Sequence, residues 1–125
     1  MKQAIKRLWI DALRSGEYEQ GHRVLVLATA GVDRKYCCLG VLCQLAVNNR
    51  VPIDVTVEYS TVVGDDVLAY DGVRFNLPES VIEWAGLGSD NPSVSTMDGS
   101  GTTLADMNDN GASFNQIALE IEEHL

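Results

Sequence analysis

The sequence predicts an α+β fold, a single compact domain with helices packed on a small antiparallel sheet. Three observations carry that reading. Apolar residues recur at helical spacing near both ends of the chain and alternate at period two in the middle. At 125 residues, 46% of them hydrophobic, the chain also has enough material for one core. The order helix, strand, helix, strands, helices contains no internal repeat and no linker.

Ile5, Leu8, Trp9, Ala12 and Leu13 mark the stripe of a first helix, with Arg7 and Asp11 spaced to pair on its opposite face and Gly16 as its stop. Residues 24–28, centred on Leu25, read as a buried strand. Residues 38–48 are apolar almost all round, which predicts a helix sunk in the core, with Leu39, Leu42, Cys43 and Ala46 as its cleanest stripe. From Ile53 the period becomes two, and Ile53, Val55, Val57 and Tyr59 share one face. A hairpin is predicted next, residues 67–70 and 73–76 about an Asp71-Gly72 turn, with Tyr70 facing Val73 and Leu68 facing Phe75. Pro78 opens a short helix that ends at Gly86 with Val81, Trp84 and Ala85 inward. Residues 87–103, rich in Gly, Ser, Asp and Asn, form the longest predicted loop and the expected mobile segment. A turn of helix over residues 104–108 precedes the last helix. Ser113 and Gln116 supply its capping box, and Phe114, Ile117, Ala118 and Ile121 its stripe.

The net charge of −9 conceals an asymmetry. Residues 1–50 hold eight Lys/Arg against four Asp/Glu, and residues 51–125 hold one Arg against fourteen acids. The acidic half argues against binding a nucleic-acid duplex, while the basic half leaves room for a small anion. No apolar run approaches the roughly 20 residues of a membrane span. The first residues lack the apolar core and cleavage site of a signal peptide, so the expected address is the cytoplasm. Three cysteines, two of them adjacent, fit reduced thiols better than a disulfide framework.

Familiar chemistry is sparse. Cys37 and Cys38 fall at the start of the buried helix, where the dipole and nearby Arg34 and Lys35 are expected to lower a thiol pKa. A nucleophile needs a base, however, and neither His22 nor His124 lies in a catalytic signature. Cys37-Cys38-x4-Cys43 is not a zinc spacing. Asp106-Met-Asn108-Asp-Asn110-Gly111 opens like a calcium loop, but its twelfth position, where a bidentate Glu belongs, is Ile117. No phosphate loop or dinucleotide fingerprint is present, and no catalytic residue, cofactor or metal ligand is assigned. The candidate site that remains surrounds the glycine-rich turns between the first helix and the buried one. Arg14, Arg23 and Lys35, with Arg34 nearby, are suited to phosphate or carboxylate, Tyr18 or Tyr36 to stacking on a base, and Ser15 and Gln20 to polar edges. Backbone amides at the start of the buried helix, from Cys37 and Cys38 to Leu39, would add an anion nest.

The phrases Trp9-x-x-Ala12-Leu13-Arg14-Ser15-Gly16-x-Tyr18-x-Gln20-Gly21 and Tyr36-Cys37-Cys38-Leu39-Gly40-Val41-Leu42-Cys43 resemble a family of small bacteriophage and prophage proteins. The later Leu77-Pro78, Trp84-x-Gly86-Leu87, Leu104-Ala105-x-Met107-Asn108-Asp109 and Ser113-Phe114-x-x-Ile117-Ala118 are similar too. The resemblance implies phage origin and residence in the host cytoplasm, and it supplies no reaction. By analogy of lifestyle, the leading expectation is a non-catalytic anti-defence protein that sequesters a small anionic, nucleotide-derived host signal, with a homo-oligomer able to enclose the ligand. The alternatives are an acidic inhibitor that covers a host defence protein and, third, a cysteine-dependent enzyme.

Overall fold

A computed structural model of the chain describes residues 1–95 and 101–125. The α+β expectation holds. Among the described residues there are five helices, a five-stranded sheet and a two-stranded one, all sharing one core.

Helix α1 (Gln3–Arg14) buries Trp9, Ile10 and Leu13. Its buried stripe is turned from the predicted one, leaving Leu8 40% exposed. The reason lies in the docking. Trp9 Nε1 donates to the Cys38 carbonyl at 2.9 Å, which fixes the face that α1 presents to its neighbours. Arg7 and Asp11 form the expected surface pair at 3.8 Å. The chain leaves the helix through Gly16 at φ +78°, a conformation that suits glycine.

Three short strands follow: β1 (Glu19–Gln20), β2 (Val26–Leu27) and β3 (Lys35–Tyr36). Helix α2 (Cys38–Asn48) has the bounds its composition predicts, and Leu39, Leu42, Cys43 and Ala46 are all fully buried. Gly40 in this helix lies against the Leu25 carbonyl, where any Cβ would collide, so the helix and the lead into β2 touch backbone to backbone. Cys37 N–H donates to that same carbonyl at 3.0 Å.

Strands β4 (Val55–Ser60) and β5 (Asp65–Tyr70) pair antiparallel along their whole length, and the sheet order is β1-β3-β2-β5-β4. Two expectations are corrected here. The sheet is mixed, because β1 runs parallel to β3 while β2, between them in sequence, lies on the other side of β3. The predicted hairpin about Asp71-Gly72 shrinks to one bridge, Tyr70 to Val73, and Leu68 does not face Phe75. β5 finds six partners in β4 instead, while the chain after Val73 turns away and the Arg74 carbonyl accepts from Leu25 N–H at 2.8 Å. Asp71 supports that arrangement by exchanging hydrogen bonds with Asp54, its N–H donating to Asp54 O and its carboxylate accepting from Asp54 N–H.

Helix α3 (Glu79–Ala85) is entered from Pro78 and ends at Gly86, with Val81 and Ala85 buried and Trp84 partly so. The predicted loop over residues 87–103 instead contains strands β6 (Ser93–Ser95) and β7 (Gly101–Thr103), paired antiparallel. The rest of that stretch, residues 96–100, lies outside the described residues. Helix α4 (Leu104–Asp109) and helix α5 (Phe114–His124) complete the chain. The Ser113–Gln116 capping box forms, and the four predicted stripe residues of α5 are its four buried ones. No described helix is long and apolar enough to cross a membrane.

Candidate functional site

An open cleft of about 730 Å³ is lined by Gly16, Glu17, Glu19, Val32, Asp33, Arg34 and Tyr36. Two turns and the β1–β3 pair build it. On one side Ser15 shapes the exit from α1, its hydroxyl donating to Ala12 O at 2.7 Å and accepting from Glu17 N–H at 3.1 Å. On the other side a turn closed by Val32 N–H to Thr29 O carries Val32, Asp33 and Arg34 outward. Tyr36 stands on β3 with its ring T-shaped against Tyr18, the centroids 5.0 Å apart at 84°. Partial burial raises the Tyr18 pKa, helped by nearby Tyr36 and Glu17, so this phenol stays neutral and able to donate.

The cleft carries both signs of charge. Three carboxylates, Glu17, Glu19 and Asp33, share its wall with one guanidinium, Arg34. Among the described residues Arg34, Asp33 and Glu17 form no ion pair, and Glu19 reaches Lys35 only at 3.9 Å. Such a wall suits a ligand that combines one anionic group with several hydrogen-bond donors, such as hydroxyls or an amine, and a flat face for Tyr36.

The residues singled out from sequence are dispersed. Arg14 pairs with Glu122 at 2.9 Å and ties α1 to α5. Lys35 faces Glu19 across β1 and β3. Arg23 stands at φ +75°, held there by its N–H donating to Asp109 Oδ1 at 2.8 Å. Its guanidinium makes a long contact to Val62 O at 3.4 Å, and with Cys37 it lines a second, smaller cavity of about 210 Å³ beside Asp106 and Asp109. Neither cavity counts two of Arg14, Arg23 and Lys35 among its walls. Of the residues singled out, Arg34 and Tyr36, the latter adjoined by Tyr18, stand at the larger one.

Gln20 is engaged internally, Nε2 donating to Asn108 Oδ1 at 2.9 Å and to Ala112 O at 2.8 Å. The expected amide nest is also filled from within. Cys38 N–H donates to Asn108 Oδ1 at 3.2 Å, so the fully buried Asn108 takes the place an anion would hold at the start of α2. Asn108 Nδ2 in turn donates to Gly21 O at 2.8 Å.

The expected lowering of the thiol pKa is reversed. Burial raises Cys37 to about 11, and although the Gly40 and Leu39 backbone amides pull the other way, desolvation wins. Cys38 and Cys43 are also raised well above the ordinary thiol value, again chiefly by burial. All three are protonated at neutral pH, enclosed, and free of disulfides.

Sequence reading missed Glu17, Glu19, Val32 and Asp33. The signal was present as the acids of the basic half. Of the four before Arg50, Asp11 pairs with Arg7 and the other three line the cleft.

Fold and cleft together define a small α+β protein with an open recess that is polar, of mixed charge and one-sidedly aromatic. The chain belongs to the family described as Domain of unknown function (DUF8296), whose model matches residues 1–125. No curated protein and no solved structure matches it.

Proposed function

We propose that this protein is a non-catalytic binding protein that holds a small nucleotide-derived molecule in the cleft beside Tyr36. The observation that supports this is the composition of the cleft wall: an aromatic ring, one guanidinium without an ion-pair partner among the described residues, and three carboxylates. In this reading the base lies on Tyr36, a phosphate meets Arg34, and ribose hydroxyls or an exocyclic amine donate to Glu17, Glu19 and Asp33. With more negative than positive groups in the wall, a ligand of low charge is favoured over a polyphosphate. The site expected from sequence therefore moves from the dispersed cations to the turns on either side of β3. The phage resemblance supports the wider setting, a protein acting in the host cytoplasm by keeping a signalling nucleotide from its effector.

Isothermal titration with cyclic mononucleotides, ADP-ribose derivatives and nucleoside triphosphates tests the reading. Micromolar binding of a cyclic mononucleotide or an ADP-ribose derivative is expected, together with loss of roughly 10-fold or more in affinity for Arg34→Ala and Tyr36→Ala. Binding no tighter than millimolar across the panel would refute it. A stoichiometric host protein recovered from lysate in that case would favour the rival reading, an acidic inhibitor of a defence protein.

A further inference from the structure

We propose that two copies of this chain associate edge to edge through β4, as an antiparallel pair about a twofold axis at Val57. The inference is independent of the cleft, which lies beside β1 at the opposite edge of the sheet.

β4 is the terminal strand, six residues long, and it lacks the usual protections of an open edge. It holds no proline, lysine or arginine, and its one charge, Glu58, is engaged by Arg74 at 3.8 Å and by the Thr56 hydroxyl at 3.2 Å. In a chain of net charge −9 this strip is close to neutral. Val55, Val57 and Tyr59 stand 40%, 60% and 63% exposed along it. They lie on the face where Tyr70 and Leu68, the cross-strand neighbours of Val55 and Val57, enter the core, while Tyr59 stands opposite the half-buried Asp66, and so they extend the apolar surface past its helical cover.

The backbone is set for the same partner. Asp54 and Ser60 direct their carbonyls inward, to Asp71 N–H and Gly64 N–H. By alternation, Val55, Val57 and Tyr59 turn their N–H and C=O groups toward the open edge. A second β4 placed antiparallel with Val57 opposite Val57 brings Val55 opposite Tyr59, all in hydrogen-bonded pairs. On the other face Thr56 meets Glu58, and Asp54 meets Ser60. Moving the axis by one residue sets Glu58 against Glu58 in one direction and Asp54 against Glu58 in the other, like charges directly opposed. An axis at Val55 or Tyr59 opposes no like charges but pairs less of the strand, so charge pattern, backbone direction and overlap together favour the register centred on Val57, in which the strand is complementary to itself.

Sedimentation and disulfide trapping test the proposal. The wild type is expected to sediment at twice 13.6 kDa at high micromolar concentration. Val57→Lys places two like charges on the axis and is expected to weaken association ~10-fold or more with an unchanged circular dichroism spectrum. Under mild oxidation Val57→Cys should give a covalent dimer, whereas Glu58→Cys, which faces Thr56 in this register, should not. A wild type that stays monomeric, or trapping by Glu58→Cys as efficient as by Val57→Cys, would overturn it.

Discussion

Replacing Asn108 by alanine tests whether one buried side chain holds the cleft-bearing half of the molecule together. Asn108 is fully buried, and its amide bonds three partners from distant parts of the chain: Cys38 N–H, Gly21 O and Gln20 Nε2. The first two are backbone groups beside the core. Each costs about 1–3 kcal/mol when left without a partner, and water entering the vacated volume returns part of that. The expected loss is therefore about 3 kcal/mol, which for a domain of this size lowers Tm by roughly 10 °C. Trp9 is fully buried, so urea unfolding followed by its fluorescence reads the change as a shift of midpoint at constant slope. The loss should fall locally as well, with the amides of Gly21 and Cys38 exchanging faster than those of α5. A destabilisation under about 0.5 kcal/mol would show that the network is incidental, and the argument for a filled helix N-terminus would fail with it.

Gly40→Ala should cost at least about 3 kcal/mol, since its Cβ would meet the Leu25 carbonyl and neither the helix nor the lead into β2 can give way without losing the Cys37 N–H bond. Chemical denaturation measures it, and a near-neutral result would contradict the close approach. The raised thiol pKa values give a pH dependence of definite sign. In the unfolded chain the cysteines ionise near 9.0, but in the native protein Cys37 holds its proton to about 11. Stability is therefore full below 9.0 and falls as pH rises through the window between, because the native state then binds more protons than the unfolded one. Denaturation midpoints from pH 7 to 10.5 should decline above 9. Iodoacetamide should label the three cysteines of the native protein far more slowly than those of the unfolded chain, and rapid labelling of Cys37 at pH 7.5 would contradict its protonated, enclosed state.

The helices were the most legible part of the sequence. α2 and α5 were readable because their apolar spacing, caps and breakers agree, and α5 even shows its capping box. The sheet was harder, since pairing is a choice among distant partners that local patterns do not rank. Asp71-Gly72 looks like a hairpin turn, yet β5 gains a full ladder from β4. The alternation in β4 is plain in the sequence, but not that the strand lies at an edge with its apolar face open. The cleft was the least legible. Of the cations legible in the sequence, Arg14, Arg23 and Lys35 are each committed to a different neighbour, and only Arg34 lines the cleft, with Tyr36 and the acids of the same region. The burial that reverses the thiol pKa, and the filling of the helix N-terminus by Asn108, depend on contacts about 70 residues apart in the chain.

Amide chemical shifts recorded while a cyclic mononucleotide is titrated into the labelled protein address the proposed site most directly. The proposal expects saturable shifts concentrated at residues 16–19 and 32–36, abolished by Arg34→Ala, with β4 unaffected. Shifts that are absent across the ligand panel, or that gather around Arg14 and Glu122 while the cleft stays silent, would contradict it.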